Sequence, residues 1–429
     1  MCSGSCRACS REFFFELPVN AGLFYPGILD GQTGKRVDAL PFDNWYLNNL
    51  EDNFKRGEDE KFDFRIEKLK NFSGRDVLII NTLDETYGHS LYELFNTSFY
   101  LKRNELDLVV LIQKNLRWLV PAGVTEIWTV DLPSTKAGQW NLGLAQLIKE
   151  AVPKALRIFL CQSFVQADSS DFQIEDYSKI SPFPLKEWGL RLDKPTVTFI
   201  WRKDRFWRPL LFRAVDNRYS RFFCPSLIRR LRNEVEMRWI LKFAHALKRA
   251  IPNLDFAVAG MDDRKPQLPS WIKDLRYPLH HDDTAAAQCR RYAESHLIVG
   301  CNGSSLMLPG CHAGAVLDIV PGDQWAVAAG SFPFRITSIG DTHFRYALLP
   351  AEVTVHRLVS VACSVLRDRS LIELHCSEPW RKHDAGLHPF AWSEFRKSAY
   401  AAAEYFSSES GLITTKRLRN QTNRNDHCH

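Results

Sequence analysis

The chain contains the sequence Leu297-Ile-Val-Gly-Cys-Asn-Gly-Ser-Ser-Leu-Met-Leu-Pro-Gly-Cys-His-Ala-Gly-Ala-Val-Leu-Asp-Ile-Val-Pro321, and its fold class can be read from this stretch. The apolar run at 297–299 predicts a buried strand, and the small residues that follow predict a tight turn opening into a helix. A second buried strand is expected at 315–320. Strand, turn, helix and strand in this order are typical of an α/β protein with a parallel sheet.

The turn in this stretch has the composition of a phosphate site. Glycine lets the backbone approach a ligand closely, and the first N–H groups of a following helix favour negative charge. A plain strand–helix connection is the alternative. The residues concerned are Asn302, Gly303, Ser304 and Ser305.

The same alternation of strands and helices extends over most of the chain. Apolar runs at 76–81, 106–112, 125–130 and 155–160 predict one series of strands, with helices between them that include one at 89–102. The run at 196–201 begins a second series, and further helices are expected at 351–367 and 389–407. Residues 165–194 are rich in turn formers and are expected to link the two parts, whereas residues 1–70 are expected to be irregular. We therefore predict two Rossmann-like α/β domains facing a cleft.

The overall composition is that of a folded protein with an anionic partner. Of 429 residues, 45% are hydrophobic, and the formal net charge is +6. This charge suits an anionic ligand or a weak peripheral attraction to an acidic membrane surface, and it is too small and too dispersed to predict nucleic-acid binding. No apolar run reaches the ~18 residues of a membrane span, so a cytoplasmic protein is expected, peripheral at the inner membrane face at most.

The cysteines and acidic pairs do not predict a metal requirement. The eleven cysteines are scattered, which favours small buried apolar residues over a disulfide framework. The clusters at 2–9 and 427–429 lack the paired spacing of a zinc site. The acidic pairs at 262–263 and 282–283 suit magnesium, but helix capping is the simpler interpretation, and we expect neither a metal nor another cofactor.

A cationic segment directly follows the strand at 196–201. Arg202, Lys203 and Arg205 are expected at the carboxyl end of this strand, where guanidinium forks and an ammonium group can bind a diphosphate and stabilise a departing nucleoside diphosphate. A solvated loop with surface ion pairs is the alternative. Downstream, Asn233 and Glu234 could reach a nucleoside, or could belong to an exposed helix face.

An acid–base group follows the first strand of the first series. His89, in the sequence Asp84-Glu-Thr-Tyr-Gly-His89, is expected near the start of a helix, where it could take a proton from an acceptor hydroxyl. Asp84, Glu85 or Glu93 could act as the base or orient the histidine. The alternative is that Asp84 or Thr86 caps the helix and His89 packs.

Several passages together resemble the family 61 glycosyltransferases, which have the two-domain GT-B fold. Tyr87-Gly-His-Ser-Leu-Tyr-Glu-Leu-Phe95 resembles the family's histidine motif, Trp201-Arg-Lys-Asp-Arg205 its arginine motif and Leu231-Arg-Asn-Glu-Val-Glu236 its Asn-Glu motif. The segment 292–321 resembles its glycine turn, and Tyr346-Ala-Leu-Leu-Pro350 resembles its closing segment. The Gly-Ser-Ser form of the turn is also similar to fucosyltransferase turns.

The resemblance implies an inverting glycosyltransferase that moves xylose, arabinose or N-acetylglucosamine from a nucleotide-sugar donor to a glycan or other hydroxyl acceptor. It implies an acceptor-side domain at 1–185, a donor-binding domain at 190–350, and C-terminal helices and a tail at 351–429. Bacterial surface polysaccharide is one plausible acceptor. The alternatives are a fucosyltransferase-like enzyme that uses a guanine nucleotide sugar and a two-domain protein that binds an anionic ligand without catalysis.

Overall fold

The computed structural model describes the greater part of the chain up to residue 367. The described residues are 2–15, 27–37, 51, 62–103, 105–137, 142–152, 157–161, 173–207, 225–262, 267–277, 282–321, 324 and 345–367. The predicted helix at 389–407 and the His-Cys-His sequence at 427–429 lie outside them.

A small antiparallel sheet forms near the N-terminus. It contains β1 (Cys2–Ser5), β2 (Glu12–Phe15) and β3 (Ile28–Asp30) in that order. The prediction of an irregular segment at 1–70 is therefore wrong for these residues, whose strands are only three or four residues long, which is too short for sequence periodicity to reveal. It is also wrong for 64–68, which form an edge strand of the next sheet.

The first α/β sheet, which we call the N unit, has the strand order β4-β7-β6-β5-β8. Its strands are β4 (Phe64–Lys68), β5 (Val77–Asn81), β6 (Asp107–Gln113), β7 (Glu126–Val130) and β8 (Ile158–Leu160). The last four strands are parallel, and β4 pairs antiparallel with β7 at the edge. If the parallel strands are numbered by their order in the sequence, their order across the sheet is 3-2-1-4, the beginning of the Rossmann order.

The helices of the N unit include two that follow β5 directly. They are α1 (Tyr87–Phe95) and α2 (Thr97–Arg103), followed by a 3-10 helix (Lys114–Leu119), α3 (Ser134–Ala137) and α4 (Leu142–Ala151). The single helix expected from the apolar spacing over 89–102 is divided at Asn96. The side-chain amide of Asn96 donates to the carbonyl of Tyr92 at 2.9 Å, which caps the first helix.

The second α/β sheet, the C unit, has the order β11-β10-β9-β12-β13-β14 with parallel pairings throughout. Its strands are β9 (Thr196–Trp201), β10 (Asp255–Met261), β11 (Ile272–Tyr277), β12 (Leu297–Cys301), β13 (Ala315–Val320) and β14 (Tyr346–Pro350). Counted along the chain, this is the complete Rossmann order 3-2-1-4-5-6. Strands β11 and β14 were not predicted from the sequence, because these edge strands carry mixed or partly exposed side chains.

Helices cover the C unit and connect it to the N unit. They are α5 (Ile174–Ser178), α6 (Pro225–Ala250), α7 (Asp282–Glu294), α8 (Met307–His312) and α9 (Val355–Arg367). Three-residue turns of 3-10 helix occur at Leu185–Glu187, Gly189–Arg191 and Ser304–Leu306. The helix expected from residue 351 begins only at Val355.

One hydrophobic core belongs to both units. Leu91, Leu94 and Phe95 of α1 lie in the same buried cluster as Ile298 of β12 and Leu306 of the C unit. The helix α1 is therefore packed against both sheets. Residues 173–192, expected as an inter-domain linker, contain α5 and two of the 3-10 turns and add Ile174 and Tyr177 to this core.

The two Rossmann-like sheets confirm the predicted fold class, an α/β protein with two such domains, as in the GT-B type. In the part of the chain that the structure describes, no helix combines the length and the apolar character needed to cross a bilayer.

Candidate active site at the two switch points

The strand order of the C unit reverses between β9 and β12, which are hydrogen-bonded neighbours. In an open α/β sheet, a ligand binds beyond the carboxyl ends of the strands at this switch point. The cationic segment that begins at Arg202 follows β9, and the turn at 302–305 follows β12. The topology therefore brings together two segments that lie about a hundred residues apart in the sequence.

Gly303 is the point of closest approach between these segments. Its φ is +138°, in the region that side chains rarely adopt. A methyl group at this position would collide with Arg202 Nη1 and would lie 3.3 Å from Arg205 Nε. Glycine is thus required for the backbone to lie directly against two guanidinium groups.

The guanidinium of Arg202 is held by both segments. It donates from Nε and Nη2 to the Asp204 carboxylate at 2.9 and 2.5 Å, and from Nη1 to Ser305 Oγ at 3.3 Å. Although burial opposes ionisation of Asp204, the hydrogen bonds and charge of Arg202 bring the pKa of Asp204 below its ordinary value. Asp204 therefore occupies the planar fork that a diphosphate oxygen pair would use.

The guanidinium of Arg205 adds a second positive charge. It donates from Nη1 to Gln324 Oε1 at 3.3 Å. Burial, followed by the neighbouring charge of Arg202, lowers the pKa of Arg205. Two crowded cations at one turn favour a bound anion, because an anion relieves both the desolvation and the mutual repulsion.

Lys203 is directed elsewhere. Its Nζ lies 3.5 Å from Asp262 Oδ1, and this buried aspartate also accepts from Arg276 Nη1 at 3.2 Å. The described contacts thus bring two of the three predicted cations, Arg202 and Arg205, to Gly303, and they engage Lys203 in a buried ion-pair network. Asp262 belongs to the same network.

Asn302 is used inside the C unit. Its side-chain amide donates to Asp318 Oδ2 at 2.8 Å, and the hydroxyl of Tyr346 donates to the same oxygen at 2.8 Å. All three side chains are buried, and burial raises the pKa of Asp318 to about 6. These bonds fix the start of the turn to β13 and β14.

The expected helix after the turn is short. Ser304–Leu306 forms a 3-10 turn and α8 has only six residues. The anion-binding character of this position therefore comes from Arg202 and Arg205 and from the freedom of Gly303, more than from a helix dipole.

In the N unit, His89 and Asp84 form a pair at the start of α1. His89 Nδ1 lies 3.3 Å from Asp84 Oδ1, and the histidine side chain is 41% exposed. Asp84 Oδ1 also accepts from the Thr86 backbone N–H at 2.6 Å. Asp84 thus holds the beginning of α1 and orients an accessible imidazole, whereas the adjacent Glu85 is exposed.

Glu93 lies one helical turn after His89 and is fully buried. Neither of its carboxylate oxygens has a hydrogen-bond partner among the described residues, and Ser90 Oγ, one turn before it, also lacks one. Burial, and then the charge of Asp84, raises the pKa of Glu93 well above its ordinary value. The sequence analysis offered Glu93 only as a possible base or as a group that orients His89, because burial of a charged residue has no local signature in the sequence.

The strand order of the N unit reverses between β5 and β8, and α1 follows β5 at this second switch point. The two switch points meet at Gly88 of α1. A methyl group at this position would lie 2.6 Å from Met307 Sδ and 2.8 Å from Ser304 Cβ. Gly88 immediately precedes His89, and Ser304 immediately follows Gly303. The acid–base pair of the N unit and the arginine-lined turn of the C unit therefore lie at one location.

The two candidate donor-binding residues on helix α6 lie in different environments. Glu234 pairs with Arg230 at 3.3 Å on an exposed part of the helix, as the alternative interpretation expected. Asn233 is half-buried, with its Oδ1 unpartnered among the described residues.

Glu236 was missed by the sequence analysis and is buried. It precedes Ile240, Phe243 and Leu247, which all face the core, by four, seven and eleven residues. This spacing is the signal that could have found it.

Comparisons with known proteins find no matching family model and no matching curated sequence. Several solved structures are distantly similar, and two of them are the following. A protein described as a UDP-N-acetylglucosamine 2-epimerase from Listeria monocytogenes is 11% identical with a TM-score of 0.29, and the match covers 70% of this chain and 67% of that chain. A glycotransferase of kitacinnamycin is 11% identical with a TM-score of 0.27, with coverage of 81% and 75%. We infer nothing about activity from likenesses this distant, and the resemblance to family 61 stays a prediction.

Proposed function

We propose that this chain is a glycosyltransferase that needs no metal and transfers a sugar from a nucleotide-sugar donor to a hydroxyl acceptor. The observation that carries the proposal is the contact of Gly88 with Ser304, since it joins an accessible His89–Asp84 pair to a turn lined by two guanidinium groups. An acid–base group beside an anion site is what transfer from a diphosphate leaving group requires.

In this mechanism the diphosphate of the donor binds against Gly303, with Arg202 and Arg205 on its oxygens. When the donor binds, the Arg202 guanidinium exchanges its hydrogen bonds with the Asp204 carboxylate for hydrogen bonds with the diphosphate. As the bond between the sugar and the diphosphate breaks, negative charge grows on the leaving oxygen, and the two guanidinium groups stabilise that charge.

The acceptor hydroxyl attacks the anomeric carbon from the face opposite the leaving group, which inverts that carbon. A neutral imidazole whose Nδ1 proton is directed to Asp84 uses Nε2 as the atom that takes the hydroxyl proton. The new glycosidic bond and a free nucleoside diphosphate are the products, and His89 holds the proton until it returns to solvent.

The finer assignments of the proposal follow the resemblance to family 61. They are the inverting outcome, a pentose or N-acetylhexosamine donor, a glycan acceptor such as a polysaccharide, and work in the cytoplasm at the inner membrane face. Further donor contacts are proposed for Asn233, Ser304 and Ser305. They are also proposed for Lys203, Glu234 and Asn302, with the donor displacing their present partners Asp262, Arg230 and Asp318. Glu85 is proposed as a second carboxylate near the base.

A thermal-shift panel of UDP, GDP, CMP and their sugar conjugates tests donor binding, because a ligand that binds only the folded state raises the melting temperature. We expect one nucleotide class to stabilise the protein. A guanine response would favour the fucosyltransferase-like alternative, and no response to any member would contradict the proposal.

Two substitutions separate an enzyme from a binding protein. His89→Ala should lower turnover about 10²–10⁴-fold with nucleotide affinity retained, and Arg205→Ala should weaken nucleotide binding by about 10–100-fold. The control Arg157→Ala removes an arginine that pairs with Asp76 just before β8 and β5, at the opposite edge of the N-unit sheet. A protein that binds the nucleotide but shows no turnover before mutation would be the non-catalytic receptor.

A further inference from the structure

A buried carboxyl group supports the segment that carries both arginines. Glu236 of helix α6 is 2% exposed, and its Oε1 accepts from the backbone N–H of Trp207 at 2.9 Å. Its Oε2 has no hydrogen-bond partner among the described residues. Trp207 lies two residues after Arg205, so Glu236 anchors the far end of the cationic segment.

The anchor is rigid because Trp207 is held on several sides. Its indole Nε1 donates to the carbonyl of Val353 at 2.7 Å, and its ring packs near Trp239 and Phe243. The side chain is fully buried. The cationic segment is therefore fixed by β9 at its start and by Trp207 at its end, and one of the two bonds at that end belongs to Glu236.

Glu236 also shares the electrostatic environment of the arginines. The buried Cys301 thiol of β12 lies within electrostatic range of Glu236, Asp318, Arg202 and Arg205, so all four groups lie near one buried position. On its own helix, Arg232 lies one turn before Glu236. The backbone N–H of Trp207 faces Glu236 from the cationic segment.

Burial leaves Glu236 protonated at neutral pH. It raises the pKa of this carboxyl to about 8, against the opposing effect of the Trp207 amide. An ionised Glu236 would place a negative charge behind the segment whose positive charge attracts the ligand.

We propose that Glu236 is a positioning residue whose neutral form holds the Arg202–Trp207 segment ready for a diphosphate and whose ionised form opposes diphosphate binding. This inference rests on the proposed diphosphate site. By linkage, a bound diphosphate then favours the neutral carboxyl, so affinity falls as the pH rises through the range in which Glu236 ionises.

Calorimetric titration with inorganic pyrophosphate at pH 7 and pH 9 tests this proposal in the wild type, Glu236→Gln and Glu236→Met. Glutamine keeps the oxygen that accepts from Trp207 and stays neutral. The wild type should lose about tenfold more affinity than Glu236→Gln between the two pH values, since about one molecule in ten would remain neutral at pH 9. Comparison between variants cancels the titration of pyrophosphate itself.

The methionine variant distinguishes position from charge. Lacking the acceptor, it should bind pyrophosphate more weakly than Glu236→Gln at both pH values, with the same pH dependence as Glu236→Gln. Glu352→Gln, which changes an exposed carboxylate after β14, serves as the control and should follow the wild type.

Failure of the inference about Glu236 and failure of the proposed function give different results in these measurements. Equal pH dependence in the wild type and Glu236→Gln would overturn the inference and leave the proposed function intact. A Glu236→Gln variant that does not fold at pH 7 would also overturn it, because a neutral side chain of the same shape should be tolerated. A wild type that binds no pyrophosphate at pH 7 would instead overturn the proposed function, and the inference with it.

Discussion

Gly88 of helix α1 and Ser304 of the turn after β12 lie in direct contact, with room for no more than a hydrogen atom on Gly88. A methyl group there would lie 2.8 Å from Ser304 Cβ. This contact joins the carboxyl edges of the two sheets. It means that the arrangement of the acid–base pair relative to the arginines is set by close packing between the units, so small changes at this contact should alter the site.

Gly88→Ala tests that contact. Alanine is favourable in a helix, but overpacking here should cost about 1–3 kcal/mol of the free energy of unfolding and should weaken pyrophosphate binding. Urea unfolding and calorimetry measure the two effects. Gly74→Ala is the control, since its methyl group meets nothing within 4 Å and its strain at φ +84° is local. Unchanged stability and binding in Gly88→Ala would show that the units separate easily at this point.

Gly303→Ala tests the approach of the backbone to the guanidinium groups. The substitution strains the backbone at φ +138° and displaces Arg202, so pyrophosphate affinity should fall at least about tenfold. Gly123→Ala is a matched control at φ +101°, where the new methyl group meets Leu101 Cδ2 at 2.9 Å in the N unit. It should lower stability without affecting affinity. Equal losses of affinity in both variants would assign the effect to general destabilisation.

Tyr177→Phe tests the attachment of α5 to the N unit. The buried hydroxyl lies 2.6 Å from Ser98 Oγ and 2.9 Å from Thr97 Oγ1, and it donates to the carbonyl of Phe95 at 2.9 Å. Its loss leaves these buried groups short of a partner and should cost about 1–3 kcal/mol in urea unfolding. Tyr100→Phe, whose hydroxyl lies 3.6 Å from Cys161 Sγ, should cost less. A larger loss in Tyr100→Phe would contradict this assignment.

His312→Gln tests a pH-dependent attachment of α5 to the C unit. Ser178 Oγ donates to His312 Nε2 at 2.8 Å, His312 Nδ1 donates to the carbonyl of Leu308, and burial lowers the pKa of His312 to about 4. Because the folded state binds its proton less readily than the unfolded state, the stability from neutral His312 is present above pH 6.5. It is lost as the pH falls towards 4, by up to about 3 kcal/mol.

The measurement is the free energy of unfolding between pH 7.5 and pH 4 for His312→Gln and the wild type. The variant should be less stable at pH 7.5 and should lose less stability on acidification. Asp318 and Glu236 have raised pKa values and contribute with the opposite sign, but they are common to both proteins and cancel in the difference. His356→Gln, at an exposed position, should leave the slope unchanged. A parallel shift of the whole curve in His312→Gln would contradict the role of protonation.

The sequence alone determined the α/β class, the exact bounds of β9 and β13 and the placement of cations and of a glycine turn after particular strands. Apolar runs and small residues are local signals, because the period of the apolar residues and the backbone freedom of glycine depend only on residues close together in the chain. Only the tertiary structure decided that β9 adjoins β12, that Gly88 meets Ser304, that Lys203 turns to Asp262 and that Glu93 and Glu236 are buried. These results depend on packing between residues far apart in the chain, where the cost of desolvating each charge is balanced against neighbours that no local pattern specifies.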